Sequence, residues 1–327
     1  MDENLETVSR ISKQELRPLQ QRRDGPGLFL FGAQSIALIA LSLATLHLAA
    51  AGDPLRFLAV VLTGLVLLTF FASMHEAGHG TAFATARFNR AATWVSAILM
   101  LQSPTFFREF HFEHHRRTSD PEGDPEVAGS GGLLGPWPTN PLLYLAQASG
   151  QHLMIGKALF TLSCALLPSR TLLAKLYPFI RPTLLRSVIW ESRLVVVLVA
   201  AALGLGLRDV TGFSTLLLAY PVAHLALSLF VMAEHTGLPT QGSQAHRTRS
   251  TRSNAIVRGA MWNMSYHAEH HSFPAVPFHA APELSRRMGA ELEHHATGYL
   301  AFHREGLLRS IGKFGGEQPA RKAPSPS

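Results

Sequence analysis

Residues 28–51 are apolar throughout, 24 positions in which His47 is the only ionisable side chain. After the break Gly52-Asp53-Pro54, a second apolar run covers 55–74, with Arg56 near its start. Each reaches the roughly 20 residues that cross a hydrocarbon core, so the pattern predicts two membrane helices joined as a hairpin. The design recurs: 195–207, extended back through Trp190, then a short turn over 208–212, then 213–233. Glu191 and Arg193 make the start of this third helix the least defined of the boundaries.

Two other apolar stretches are shorter or interrupted. Residues 91–101 are too few to span, and 142–167 contain Gln147, Gly150, Gln151, His152, Gly156 and Lys157. Both are expected to be interfacial or re-entrant helices beside the bundle, with a spanning role for 142–167 as the competing possibility. Glycine, proline and polar residues mark 129–141 and 239–253 as loops. The expected architecture is all-α: an integral membrane bundle of about four transmembrane helices in two hairpins, interfacial helices, and a cytoplasmic histidine-rich helical cap. Residues 1–27 form a polar cytoplasmic segment without a cleavable signal pattern. A single membrane domain follows over 28–314, and 315–327 lack apolar periodicity, as a disordered tail does.

Composition agrees with burial in lipid. Charged residues make up 16% of the 327, against about 25% in soluble domains, and the mean hydropathy is positive. Of 29 Lys and Arg, 5 lie in 1–27, 10 in 75–189 and 11 in 236–327, leaving only Arg56, Arg193 and Arg208 elsewhere. Two hairpins place those three basic segments on one side, which the positive-inside rule makes the cytoplasm. Both termini and all of the polar mass then share that side. The net charge of +7 therefore reads as membrane orientation, not as a nucleic-acid footprint.

One cysteine, Cys164, stands against 17 histidines. An internal disulfide, a cysteine zinc finger, a rubredoxin site and an iron–sulfur cluster are all excluded. Any metal chemistry must use imidazole or carboxylate. His75 and His79 stand at i and i+4 just after the second membrane helix; His111, His114 and His115 stand at i, i+3 and i+4; His267, His270 and His271 repeat that spacing. Steps of three and four return to one face of a helix, so each set is expected to present its rings together. His235 closes the last membrane helix at the same boundary. These nine are candidate ligands, and two ions with four or five imidazoles each accommodate them. His224, three turns before His235, reads as a packed helix residue; His47, His246, His279, His294, His295 and His303 need no special role.

Imidazole suits zinc, copper, iron and nickel alike. His75-Glu76-Ala77-Gly78-His79 is a literal HExxH, so an intramembrane zinc metalloprotease is one rival; it leaves the other histidine sets without work. A histidine-rich metal transporter is a second rival, but it would distribute ligands along a membrane path.

HEAGH at 75–79, HFEHH at 111–115 and HAEHH at 267–271 resemble the three histidine boxes of the membrane fatty acid desaturase superfamily, which also holds alkane and xylene hydroxylases and carotenoid ketolases. The resemblance runs from about residue 70 to about residue 285 and includes WNMSYHAEHHSFPAVPFHA. It implies the nine histidines as ligands, two ferrous ions, O2 as cosubstrate and attack on an unactivated C–H of a lipid acyl chain, a fatty acid desaturase first of all. EHTG at 234–237 is similar to the isolated histidine motif of alkane hydroxylases, which makes a hydroxylase or ketolase the alternative. Where acyl-CoA desaturases carry an Asn four residues before the isolated His, this chain has Val231; Asn263, four before His267, is a substitute candidate.

Ligating histidines usually donate their second N–H to a carboxylate or carbonyl. Glu76, Glu113, Glu234 and Glu269 lie beside candidate ligands, and Asp120, Glu122, Asp124 and Glu126 follow the second box. Asp120 and Asp124 are the favoured supports. Arg247, Arg249 and Arg252 read as orientation charges. With no cysteine-held cluster, no dinucleotide fingerprint and no length for a fused haem domain, no bound nucleotide is expected. Electrons are expected from a separate ferredoxin, rubredoxin or cytochrome-type donor. The topology has a direct check. With Cys164 replaced by Ser, an Asp53→Cys probe reacts with an impermeant maleimide from outside the cell and a Ser243→Cys probe does not; equal labelling removes the orientation.

Overall fold

The computed structural model describes residues 11–128, 135–167 and 169–313. The expected tail over 315–327 and part of the expected loop over 129–141 fall outside these residues. Four helices among those described are long and apolar enough to cross a membrane: Asp24–Ala50, Arg56–His79, Pro182–Leu207 and Val210–His235.

A short helix α1 (Lys13–Leu19) opens the described chain on a Ser12–Glu15 capping box. The first hairpin is α2 (Asp24–Ala50) and α3 (Arg56–His79). Helix α2 leaves Phe29, Ile36, Ile39 and Leu43 exposed, as a lipid-facing surface requires. Helix α3 is mostly buried and does not stop at Met74: it continues unbroken through His75 and His79. Its last turn thus carries the first ligand pair on a rigid extension of a membrane helix. Beyond it come α4 (Ala86–Leu99), α5 (Pro104–Arg117) and α6 (Pro125–Ala128).

The apolar stretch over 142–167 is two helices, α7 (Pro141–Ala148) and α8 (Gln151–Leu166), the second only 16 residues long. The break is at Gly150, whose φ is +70° and whose missing Cβ would lie 1.9 Å from the His224 carbonyl oxygen. No L side chain fits there. After α9 (Arg170–Leu176), the second hairpin consists of α10 (Leu185–Leu207), α11 (Phe213–Leu217) and α12 (Ala219–His235). Helix α10 begins earlier than Trp190. Its Glu191 carboxylate, which blurred the sequence boundary, is buried and engaged: it accepts from Ser103 Oγ at 2.5 Å, Thr105 N at 2.9 Å and Thr105 Oγ1 at 2.7 Å. An acid inside an apolar helix therefore holds the N-terminus of α5, the helix that bears the second histidine set, where exposed N–H groups favour negative charge.

The cap comprises α13 (Gln244–Arg247), α14 (Ala255–Ala260), α15 (His267–Ser272), α16 (Ala281–Met288) and α17 (Tyr299–Ser310). The expected loop over 239–253 holds α13 and a two-residue strand, β1 (Ser250–Thr251), paired in parallel with β2 (His295–Ala296). Leu19 packs among Leu284, Met288 and Leu292, so α1 rests on the cap.

Helix α3 is the axis, packed against α2, α4 and α12. Its apolar core includes Phe70, Met74, Phe83, Met100, Phe107, Leu227, Phe230 and Trp262. Polar ties cross it: Gln34 Nε2 donates to Ser73 Oγ at 2.9 Å, Ser73 Oγ meets Ser96 Oγ at 2.9 Å, and Trp262 Nε1 donates to Gln34 Oε1 at 3.0 Å. Such bonds between helices are a main source of specificity where apolar packing alone gains little over lipid. Close approach of α3 and α12 depends on Gly64, where a Cβ would lie 2.7 Å from Val222 and 2.8 Å from the Ala219 carbonyl oxygen. Gly64→Val should destabilise the bundle by about 1–3 kcal/mol through overpacking, read as a lower melting temperature in detergent. Gly156→Ala, with nothing within 4 Å, is the silent control.

Candidate metal centre

The nine predicted histidines come together at one end of α3 and α12. They form two groups, His75, His79, His111, His115 and His270 in one, and His114, His235, His267 and His271 in the other, the ligand atoms of each lying within 4.8 Å of one another. The Nε2 atoms converge: His79 to His111 is 2.9 Å, His111 to His115 is 3.0 Å, His115 to His270 is 3.2 Å, and His235 to His267 is 2.8 Å. The groups share a wall, with the rings of His115 and His271 stacked at 4.1 Å.

The expectation that each HxxHH set keeps its rings together is corrected by the way these sets divide. Helix α5 sends His111 and His115 to the first group and His114 to the second; α15 sends His267 and His271 to the second and His270 to the first. Helix geometry explains it. At about 100° per residue, i and i+4 differ by about 40°, whereas i+3 and i+4 diverge by about 100°. The i, i+4 pair therefore addresses one centre and the middle histidine the neighbouring one. Helix α3 completes the first group with a third i, i+4 pair, and α12 completes the second with His235 alone.

These residues fit a pair of metal ions. Ring nitrogens 2.8–3.2 Å apart are spaced like adjacent ligands at bonds of about 2.1 Å. Both nitrogens of buried His75 and Nε2 of His271 lack a hydrogen-bond partner among the described residues, a costly state without a ligand to bind. Burial first, and neighbouring imidazoles second, push His111, His115, His267, His270 and His271 well below the ordinary histidine range. They are neutral at physiological pH, as ligation demands.

His114 is held differently. Burial lowers it, but the charges of Asp124 and then Glu126 outweigh that and push it up to about 9. Asp124, fully buried, accepts from His114 Nδ1 at 2.9 Å and from the backbone N–H of Ser119 and Glu126 at 2.8 and 2.9 Å. Glu126 adds a second carboxylate 3.2 Å from Nδ1. The two carboxylates hold a proton on Nδ1, so a metal bound at Nε2 would displace only the other proton. Thr118 does the same for His271: its hydroxyl donates to the His114 carbonyl at 2.8 Å and lies 3.2 Å from His271 Nδ1. Glu234 Oε1 approaches His267 Nδ1 at 3.4 Å.

The other supports predicted from sequence lie elsewhere. Asp120 pairs with Arg117 and caps the Glu122 N–H. Glu113 pairs with Arg116 and Arg117. Glu269 binds Ser250 Oγ, which also accepts from the Ala268 N–H, so it anchors α15 to β1. Asn263 donates to the Phe278 carbonyl at 2.9 Å while Glu76 accepts the Phe278 N–H at 3.0 Å, a clamp on both backbone groups of one residue. Val231 is buried in the apolar core. Arg249, read as an orientation charge, donates to the Ala233 and Thr236 carbonyls at the end of α12, where cations stabilise helix termini. His224 binds the Tyr220 carbonyl and contacts Lys157, as a packed helix residue.

Four membrane-length helices and two histidine groups at their common end define an integral membrane metalloenzyme of two-centre type. A family model, fatty acid desaturase, matches residues 53–303; the chain belongs to that family, whose members are membrane di-iron oxidoreductases. No curated protein matches the chain. The protease reading falls with this, since both histidines of HEAGH sit in a five-imidazole group and the Glu76 carboxylate is engaged by Phe278. Asp124→Asn should lower iron affinity about 10–100-fold, measured by plasma mass spectrometry of the purified protein. Asp120→Asn should leave iron content unchanged.

Proposed function

We infer that the nine histidines hold two iron ions and that the protein desaturates a fatty acyl chain, as an acyl lipid or acyl-CoA. The division of the histidines into groups of five and four, each with its ligand atoms within 4.8 Å of one another, carries the inference. Iron bound there would change oxidation state and use O2 to oxidise an unactivated C–H, chemistry that zinc lacks. The protein's own part is placement. Asp124 and Thr118 hold protons on the outer nitrogens of His114 and His271, so the inner nitrogens are the ones that would bind metal.

A small cavity, with room for about one water-sized molecule, lies against both histidine groups. His75, Glu76, His267 and His270 line one part of it, and Asn263, Tyr266 and a set of apolar side chains that includes Trp262, Met264 and Phe278 line the rest. The Glu76–Phe278–Asn263 clamp fixes one wall, and the membrane-length helices that carry the histidines support a lipid-borne substrate. EHTG at 234–237 favours a second reading, hydroxylation of an alkane, acyl chain or carotenoid. Both reactions take two electrons from outside: desaturation reduces O2 to two waters, and hydroxylation leaves one oxygen atom in the product and one in water. A separate ferredoxin, rubredoxin or cytochrome supplies them. The lysine and arginine distribution supports a cytoplasmic side for the centre and both termini.

Expression with a donor system, followed by mass spectrometry of cellular lipids and hydrocarbons, tests the reading. Desaturation appears as loss of two hydrogens, hydroxylation as gain of an oxygen atom. His235→Ala should abolish either product. An unchanged lipid and hydrocarbon profile with iron-loaded protein would overturn both readings, and turnover by the purified chain with a nicotinamide cofactor alone would overturn the separate donor.

A further inference from the structure

A third cluster of metal-ligating side chains lies apart from the nine histidines. His246, Glu293 and His294 each offer one ligand atom within 4.8 Å of the others. His246 Nδ1 is 2.5 Å from Glu293 Oε2, and the two imidazole rings are 5.4 Å apart. The His294 ring hydrogen-bonds the His246 backbone, and its Nε2 is buried without a partner among the described residues. Two imidazoles and a carboxylate with ligand atoms this close, one imidazole nitrogen shielded and unpartnered, are a donor set and not a simple ion pair.

The backbone holds these residues in place independently of any ion. Ser250 pairs with His295 across β1 and β2, and Ser250 N donates to the His294 carbonyl at 3.2 Å. The turn before α13 passes so close to the His246 ring that a Cβ on Gly242, at φ +108°, would lie 2.8 Å from it. Ser243 caps α13 through the His246 N–H at 3.2 Å. The ring is thus placed from two sides.

We propose that His246, Glu293 and His294 form a separate binding site for a borderline divalent cation such as Zn2+. Two imidazoles and one carboxylate are a zinc-type donor set, with a fourth position for water. Side chains of His246 and Glu293 are partly exposed, so the ion enters from solvent. Its effect follows from what α13 covers. Gln244 Nε2 donates to the His115 carbonyl at 2.8 Å, and Arg247 donates to the Thr118 carbonyl at 2.6 Å. An ion joining 246 to 293 and 294 fastens this segment over the histidine groups and slows release of their metals. The site stands whatever the substrate of the enzyme.

Purified full-length protein, iron-loaded and washed with chelator, is incubated with Zn2+, desalted and analysed for both metals. The wild type should retain about one zinc per chain with its iron unchanged, and lose iron more slowly to a chelator once zinc is present. The double variant Glu293→Gln, His294→Gln should retain no zinc and release iron at the zinc-free rate. Absence of extra zinc in the wild type overturns the site, as does zinc gained only in exchange for iron. Equal zinc in wild type and double variant overturns the assignment to these residues.

Discussion

Nine imidazoles share a small volume only if none of them carries an unbalanced charge, and most of the architecture serves that condition. Burial removes the water that would stabilise imidazolium, and each ring depresses its neighbours further. The result is a set of neutral nitrogens facing inward. The one exception has its charge matched: His114 sits against Asp124 and Glu126. A carboxylate beside every histidine would have raised them all, and the observed economy of acids is what keeps the remainder available as ligands.

Positioning comes from helices whose ends are tied at both sides. Helix α5 is held at its start by Glu191 from a membrane helix and beyond its end by Asp124 from the following turn. Helix α12 is closed by Arg249 returning from the cap, and α15 is fastened to β1 through Glu269 and Ser250. The histidine-bearing elements are thus fixed by buried polar contacts that reach across the sequence, while lipid-facing residues on α2 and α10 only have to be apolar. Function is concentrated where the chain is over-determined.

Much of this was legible in the residues. Length and hydropathy marked the four membrane helices, because a lipid core imposes one length on all of them. The HxxxH and HxxHH spacings marked the nine histidines. What spacing on one helix does not encode is which partner helix each ring meets, so the reciprocal split of the two HxxHH sets emerged only in three dimensions. The supports were harder still: Asp124 reaches His114 while Asp120, four residues earlier, turns to Arg117, and nothing local to SDPEGDPE separates them. Thr118 carried no signal beyond its nearness to His115. Glu191 looked like a flaw in a membrane segment because its partners, Ser103 and Thr105, lie far away in sequence.

The reciprocal split also bears on how the enzyme is assembled. Each of α5 and α15 contributes to both groups, so a chain ordered enough to grip the first ion has already set three of the four nitrogens that receive the second, leaving only His235 to arrive with α12. A displacement of either helix therefore disturbs both positions at once, whereas one of α12 reaches only the second, through His235.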